Sequence, residues 1–176
     1  MKRIMCAPIG AFSVAAVCLT ASPALAETAE EAVAYAFLGL AAEPQLDRGR
    51  MHLAWQEISA SPAMFVGHGE GPGRAYDVIF TVTALSDCDY EIQLAGAPEI
   101  VRGGEALYAR IHLDEVTGIL AGAFQVTIEG DGFCQTGESN PNCTLVHRTD
   151  IYGTLDPAKH ARLVEQLQSK VCVKPQ

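Results

Sequence analysis

Hydrophobic and polar residues alternate with a period of two along four stretches of the chain. In 76–84, Tyr76, Val78, Phe80, Val82 and Ala84 alternate with Asp77, Ile79, Thr81 and Thr83. In 88–94, Cys88, Tyr90, Ile92 and Leu94 alternate with Asp89, Glu91 and Gln93. Leu107, Ala109, Ile111 and Leu113 do so in 107–113, and Phe124, Val126 and Ile128 in 124–128. Weaker strand signals lie at 51–57, 63–67 and 144–152. One wet and one dry face per strand is the signature of an antiparallel sheet. Short links at Ser86-Asp87, Gly103-Gly104 and Gly130-Asp131-Gly132 suit hairpins and leave no room for helical crossovers.

The period changes to about 3.6 at both ends. Thr28 and Glu31 have capping-box spacing, and Val33, Phe37 and Leu40 fall on one helical face, so a helix is expected over 28–41. Asp156 followed by Pro157 reads as an N-cap with proline at the first helical position. Ala161, Val164, Leu167 and Val171 then form one stripe, with Lys159, Arg162, Glu165 and Lys170 opposite. The expected fold is α+β: six or seven antiparallel strands in a roll or barrel, with a helix at each end and the terminal helix over the dry face. In outline this resembles the pleckstrin-homology-like barrel. A curved sheet wrapped by a helix, of the cystatin or nuclear-transport-factor kind, is the alternative. Element order alone carries both, and it implies no function.

Residues 1–26 read as a secretory signal peptide. Lys2 and Arg3 precede an uncharged stretch, and Ala24-Leu25-Ala26 supplies the cleavage site before Glu27. The competing readings are a membrane anchor and lipidation at Cys18; Ser22 and Pro23 disfavour the first, and Val17 the second. The expected mature chain, 27–176, has the size of one domain. The whole chain carries −9, and Lys2 and Arg3 are the only charges in 1–26, so processing makes it more acidic still. That balance argues against nucleic acid and against anionic membrane surfaces, whose recognition relies on Lys and Arg. No membrane span is expected after cleavage.

Cys88, Cys134, Cys143 and Cys172 remain after processing. An even count in an exported chain favours disulfides, and the absence of a C-x-x-C pair disfavours zinc. Of the three possible pairings, Cys134–Cys143 with Cys88–Cys172 is preferred. The first would close an exposed segment rich in Gly, Ser, Asn and Pro, and the second would tie the last helix to a central strand.

No H-E-x-x-H, G-x-S-x-G, P-loop or EF-hand pattern is present. Gly67 to Gly73 is the densest glycine run and reads as a flexible loop or a mobile lip presenting His68 and Glu70. His52, His68, His112, His147 and His160 show no metal-ligand spacing. Asp89 and Glu91 sit on a wet face. His147, Arg148 and Asp150 with Ser139 lack triad support, since triads are defined by geometry. Trp55 reads as core, with a binding anchor as the alternative. Candidate binding residues are therefore Trp55, His68, Glu70, and Gln135, Glu138 and Asn140 between two cysteines. The leading expectation is a periplasmic or secreted, non-enzymatic binding module without metal or cofactor, taking a basic protein partner as an inhibitor or neutralising factor. The alternatives are a carrier of small apolar ligands, with a cavity lined by Tyr76, Phe80 and Phe124, and a hydrolase whose site is assembled in space.

Overall fold

A computed structural model describes residues 27–42, 45–46, 53–71, 74–96, 105–137 and 140–172. The expected signal peptide, His52 and the Gly103-Gly104 link lie outside them. Helix α1 (Ala29–Leu38) is followed by strands β1 (Gln45–Leu46), β2 (Ala54–Ala60), β3 (Ala63–Gly71), β4 (Arg74–Ala84), β5 (Asp89–Gly96) and β6 (Glu105–His112). Next come β7 (Val116–Ala121), β8 (Gln125–Gly130), β9 (Phe133–Gly137), β10 (Asn140–Leu145) and β11 (Arg148–Asp150). Helix α2 (Pro157–Gln166) ends in a wider π-type turn, Leu167–Val171. An antiparallel sheet of eight strands runs β1-β2-β3-β4-β5-β6-β9-β10, and a smaller one runs β11-β8-β7. The α+β class is as expected. The strand number is not, and the large sheet stays open, with β1 and β10 at its two edges, where a closed barrel was the alternative.

Helix α1 begins where the capping box places it. Thr28 Oγ1 accepts from the Glu31 N–H, and Glu31 accepts from the Thr28 N–H. Gly39 ends it in the left-handed region at φ 71°. Every residue from Ala32 to Leu40 other than Gly39 is essentially buried in the core. A helix apolar on all sides must be covered on all sides. The large sheet covers one flank through β3 and β4, while β8, β11 and α2 cover others. So α1, not the terminal helix, fills the interior. Helix α2 packs against α1 through His160, Leu163 and Leu167, and it is Asp156 that caps it. Its buried stripe is therefore rotated from the expected one: Ala161 is exposed and Val164 half-buried.

Three local features explain the other departures. Along β6, Ala109 faces Ile92 but Leu107 faces Gln93, so Tyr108 is an extra, bulged residue. The bulge puts Tyr108 in the core and turns Leu107 out of phase. Gly67 to Gly71 of the glycine run are strand rather than loop, while Pro72 and Gly73 lie outside the described residues. Gly67 lies directly opposite Trp55, and a Cβ there would meet the indole ring at 2.8 Å. Gly69 is likewise overlaid by Leu53 and Tyr76. Finally, Gly130 to Gly132 carries the chain from the small sheet back to the large one, so it is no hairpin. Gly130 has φ 89°, and a Cβ there would collide with the Glu115 carbonyl oxygen at 2.2 Å, a position only glycine tolerates.

Two disulfides close the structure, Cys88–Cys172 and Cys134–Cys143. The first ties the end of α2 to the start of β5. The second joins β9 to β10, so the intervening segment is a cross-linked hairpin rather than a bare loop.

Candidate functional site

The sequence-derived candidates do not converge. Trp55 is 1% exposed, packed against Phe80 and Tyr152 with ring centroids at 5.7 and 6.2 Å, which makes it core and not a surface anchor. Its Nε1 has no hydrogen-bond partner. His68 and Glu70 lie on the outer face of β3, where His68 Nδ1 is 2.7 Å from Asp77 Oδ1 of β4. Gln135 lies on β9 in register with Ala109 of β6. Asn140 opens β10 opposite Gly137, and Glu138 lies outside the described residues. Tyr76, Phe80 and Phe124 line no common cavity. Phe80 is fully buried among Trp55, Tyr108 and Tyr152, whereas Phe124 is 72% exposed in the β7–β8 turn.

The polar clusters have structural explanations. Asp89 accepts from Ser86 Oγ at 2.7 Å and faces His112 Nδ1 at 2.6 Å. Those two bonds, Ser86 first, hold its carboxyl below the usual range. A nucleophilic triad needs serine on the imidazole and imidazole on the carboxylate; here serine donates to the carboxylate. His160 places Nε2 3.0 Å from the Ala36 carbonyl oxygen and so joins α2 to α1. Asp150 accepts from Gln125 Nε2. Burial first, then bonds to Thr149 and Tyr152 in opposition, leaves the Tyr108 hydroxyl pKa raised. Among the described residues no three His, Cys, Asp or Glu side chains are grouped to hold a metal ion.

What the fold does assemble is a groove between β7 and α2. Ile119, Leu120 and Ala121 form one wall; Pro157, His160, Ala161, Val164, Glu165, Gln168 and Ser169 form the other, enclosing about 610 Å³. The helix residues recur at three- and four-residue steps, which is one stripe of a helix. The strand residues are consecutive. Alternate residues would line a strand face, so a consecutive run marks its edge. A second hollow of about 350 Å³, lined by Phe124, Ile151 and Leu155 among others, adjoins it at Pro157. Leu120, 55% exposed, lines the groove, and the exposed Phe124 lines the second hollow.

Helix α2 is held rigidly beside this edge. Besides His160, the Asp156 N–H donates to the Tyr35 hydroxyl at 2.7 Å. Lys159 Nζ lies 2.6 Å from Glu27 and 4.5 Å above the Tyr35 ring. The sequence carried two hints of the groove, an uncharged β7 and an apolar Ala161/Val164 stripe, but neither says which strand edge α2 will face. No family model, curated protein or solved structure matches the chain.

Proposed function

We propose that the protein is an exported, non-enzymatic binding module whose partner is a basic protein, docked in the groove between β7 and α2. One observation carries the reading: a rigid helix stands beside a one-sided strand, with an open, mostly apolar trough between them. Preformed apolar troughs with few polar groups are ligand sites, and rigidity lowers the entropy lost on binding. The −9 charge favours association with a basic partner. Two disulfides fit a chain that folds in an oxidising compartment. Among the described residues no helix is long and apolar enough to cross a membrane.

The test is capture from a cell-envelope extract at low salt, with the oxidised chain immobilised beside an Ala161→Arg variant that fills the groove. Ala161 is exposed, so the variant should melt like the parent. A basic protein retained by the parent and lost by the variant supports the reading. Equal capture by both, or none by either, overturns it.

A further inference from the structure

Edge strands are a hazard, and proteins blunt them by shortness, charge, proline or bulges. Three of the four sheet edges among the described residues follow that rule. Strand β1 is two residues long, β10 carries Pro141 and an irregular register, and β11 is three residues long with Arg148 and Asp150. Strand β7 does not follow it. It is six residues of Val-Thr-Gly-Ile-Leu-Ala, without charge or proline, and its one irregularity lies at the Val116 end.

The register shows which of its backbone groups are unused. The Gly122 N–H donates to the Gln125 carbonyl oxygen at 2.8 Å, making 122 and 125 a hydrogen-bonded pair. Pairs alternate along an antiparallel ladder. Leu120, opposite Thr127, and Gly118, opposite Glu129, therefore bond to β8, while Ile119 and Ala121 turn their N–H and C=O groups the other way. No described backbone group accepts from or donates to them there, and both residues line the groove, Ala121 exposed and Ile119 with its side chain in the core at 5% exposure. The Ile128 N–H, opposite Ile119, accordingly points away to the His147 carbonyl oxygen.

We propose that the partner binds by strand addition: an extended basic segment of another protein pairs with Ile119 and Ala121 and lies along α2. This rests on the groove being the binding surface, as proposed above. Free donors and acceptors at 119 and 121 call for an extended backbone, whose alternate side chains enter the trough toward Val164 and the hollow beside Phe124. Among the described residues Glu165 is the one acidic side chain lining the groove and no Lys or Arg lines it, which with the chain's −9 charge calls for a basic segment. A second copy of this acidic chain is disfavoured by the same charge.

The probe is a synthetic capped octapeptide of alternating lysine and valine. Its controls are the same peptide N-methylated at alternate amides and a glutamate–valine analogue. Amide hydrogen exchange of the oxidised protein is read by NMR with and without peptide. Strand addition protects the Ile119 and Ala121 amides by about tenfold or more and leaves Leu120 unchanged, because Leu120 already donates to β8. N-methylation abolishes binding, and the glutamate peptide binds at least about tenfold more weakly. Binding without protection at 119 and 121, or equal binding of the N-methylated peptide, overturns strand addition but leaves the groove as the docking surface. No binding at about millimolar peptide overturns it too; capture lost in Ala161→Arg would still uphold the groove. Protection of 119 and 121 that rises with protein concentration alone, together with a dimer on gel filtration, replaces the partner by a second copy.

Discussion

Replacing Glu57 by glutamine should stabilise the protein in mildly alkaline solution and do little in acid. Glu57 points inward from β2, in register with the buried Phe65, and lies against the start of α1. One carboxyl oxygen is buried without a hydrogen-bond partner. Burial first, and then the Glu31 carboxylate with Glu27 behind it, push its pKa from 4.5 to about 7. The folded chain therefore holds this proton more tightly than the unfolded chain. The stabilisation is fully present below about pH 4.5 and is lost as pH rises through about 7. A rise of that size corresponds to about 3 kcal/mol as an upper bound. Glu57 is only half-buried, and solvent screening reduces this to about 2 kcal/mol. Glu57→Gln keeps the shape and removes the charge, so Tm at pH 8 should rise by about 4–8 °C. At pH 4 the two proteins should melt together. Glu31→Gln should gain less, because the Glu31 carboxylate also caps the Thr28 N–H. Thermal melts by circular dichroism between pH 4 and 8 at constant ionic strength measure this. Coincident melts at pH 8, or a less stable Glu57→Gln, would refute the reasoning.

Reduction should be severe: loop-closure entropy assigns about 4.5 kcal/mol to the Cys88–Cys172 link and about 2.5 kcal/mol to Cys134–Cys143. Melting in excess dithiothreitol should fall by at least about 10 °C, and an unchanged transition contradicts the assignment. Gly67→Val should cost about 3 kcal/mol, because Trp55 occupies the space of any side chain there. The single tryptophan reports this directly as a lower urea midpoint and a shifted emission maximum. Thr28→Ala should cost about 1 kcal/mol through loss of the cap, and Thr28→Ser should restore most of it; urea midpoints at unchanged slope decide.

Much of the local structure was legible from neighbouring residues. Thr28 and Glu31 announced the start of α1, and Asp156-Pro157 that of α2, because caps satisfy backbone groups within one turn. Val78, Phe80 and Val82, then Tyr90 and Ile92, showed the buried face of β4 and β5 through simple alternation. Where alternation failed, a neighbour on another strand was responsible. Tyr108 entered the core through a bulge, and Gly67 and Gly69 stayed extended in β3, where the Trp55 and Tyr76 rings and Leu53 fill the space a side chain would occupy. The uninterrupted apolar run from Ala32 to Ala41 did mark α1 as a helix with no wet face, a stronger sign of central burial than the three-residue stripe within it.

Sequence alone determined the two helices, the alternating strands β4, β5, β6 and β8, the acidic balance and the cysteines available to cross-link them, because each depends on composition or on residues a few positions apart. Tertiary structure decided that α1 and not α2 fills the interior, that the strands divide into two sheets, and that the free edge of β7 faces α2. Those outcomes depend on which distant segments meet. Backbone hydrogen-bonding capacity is the same in every strand, so no side-chain pattern says which edge will be left without a neighbour.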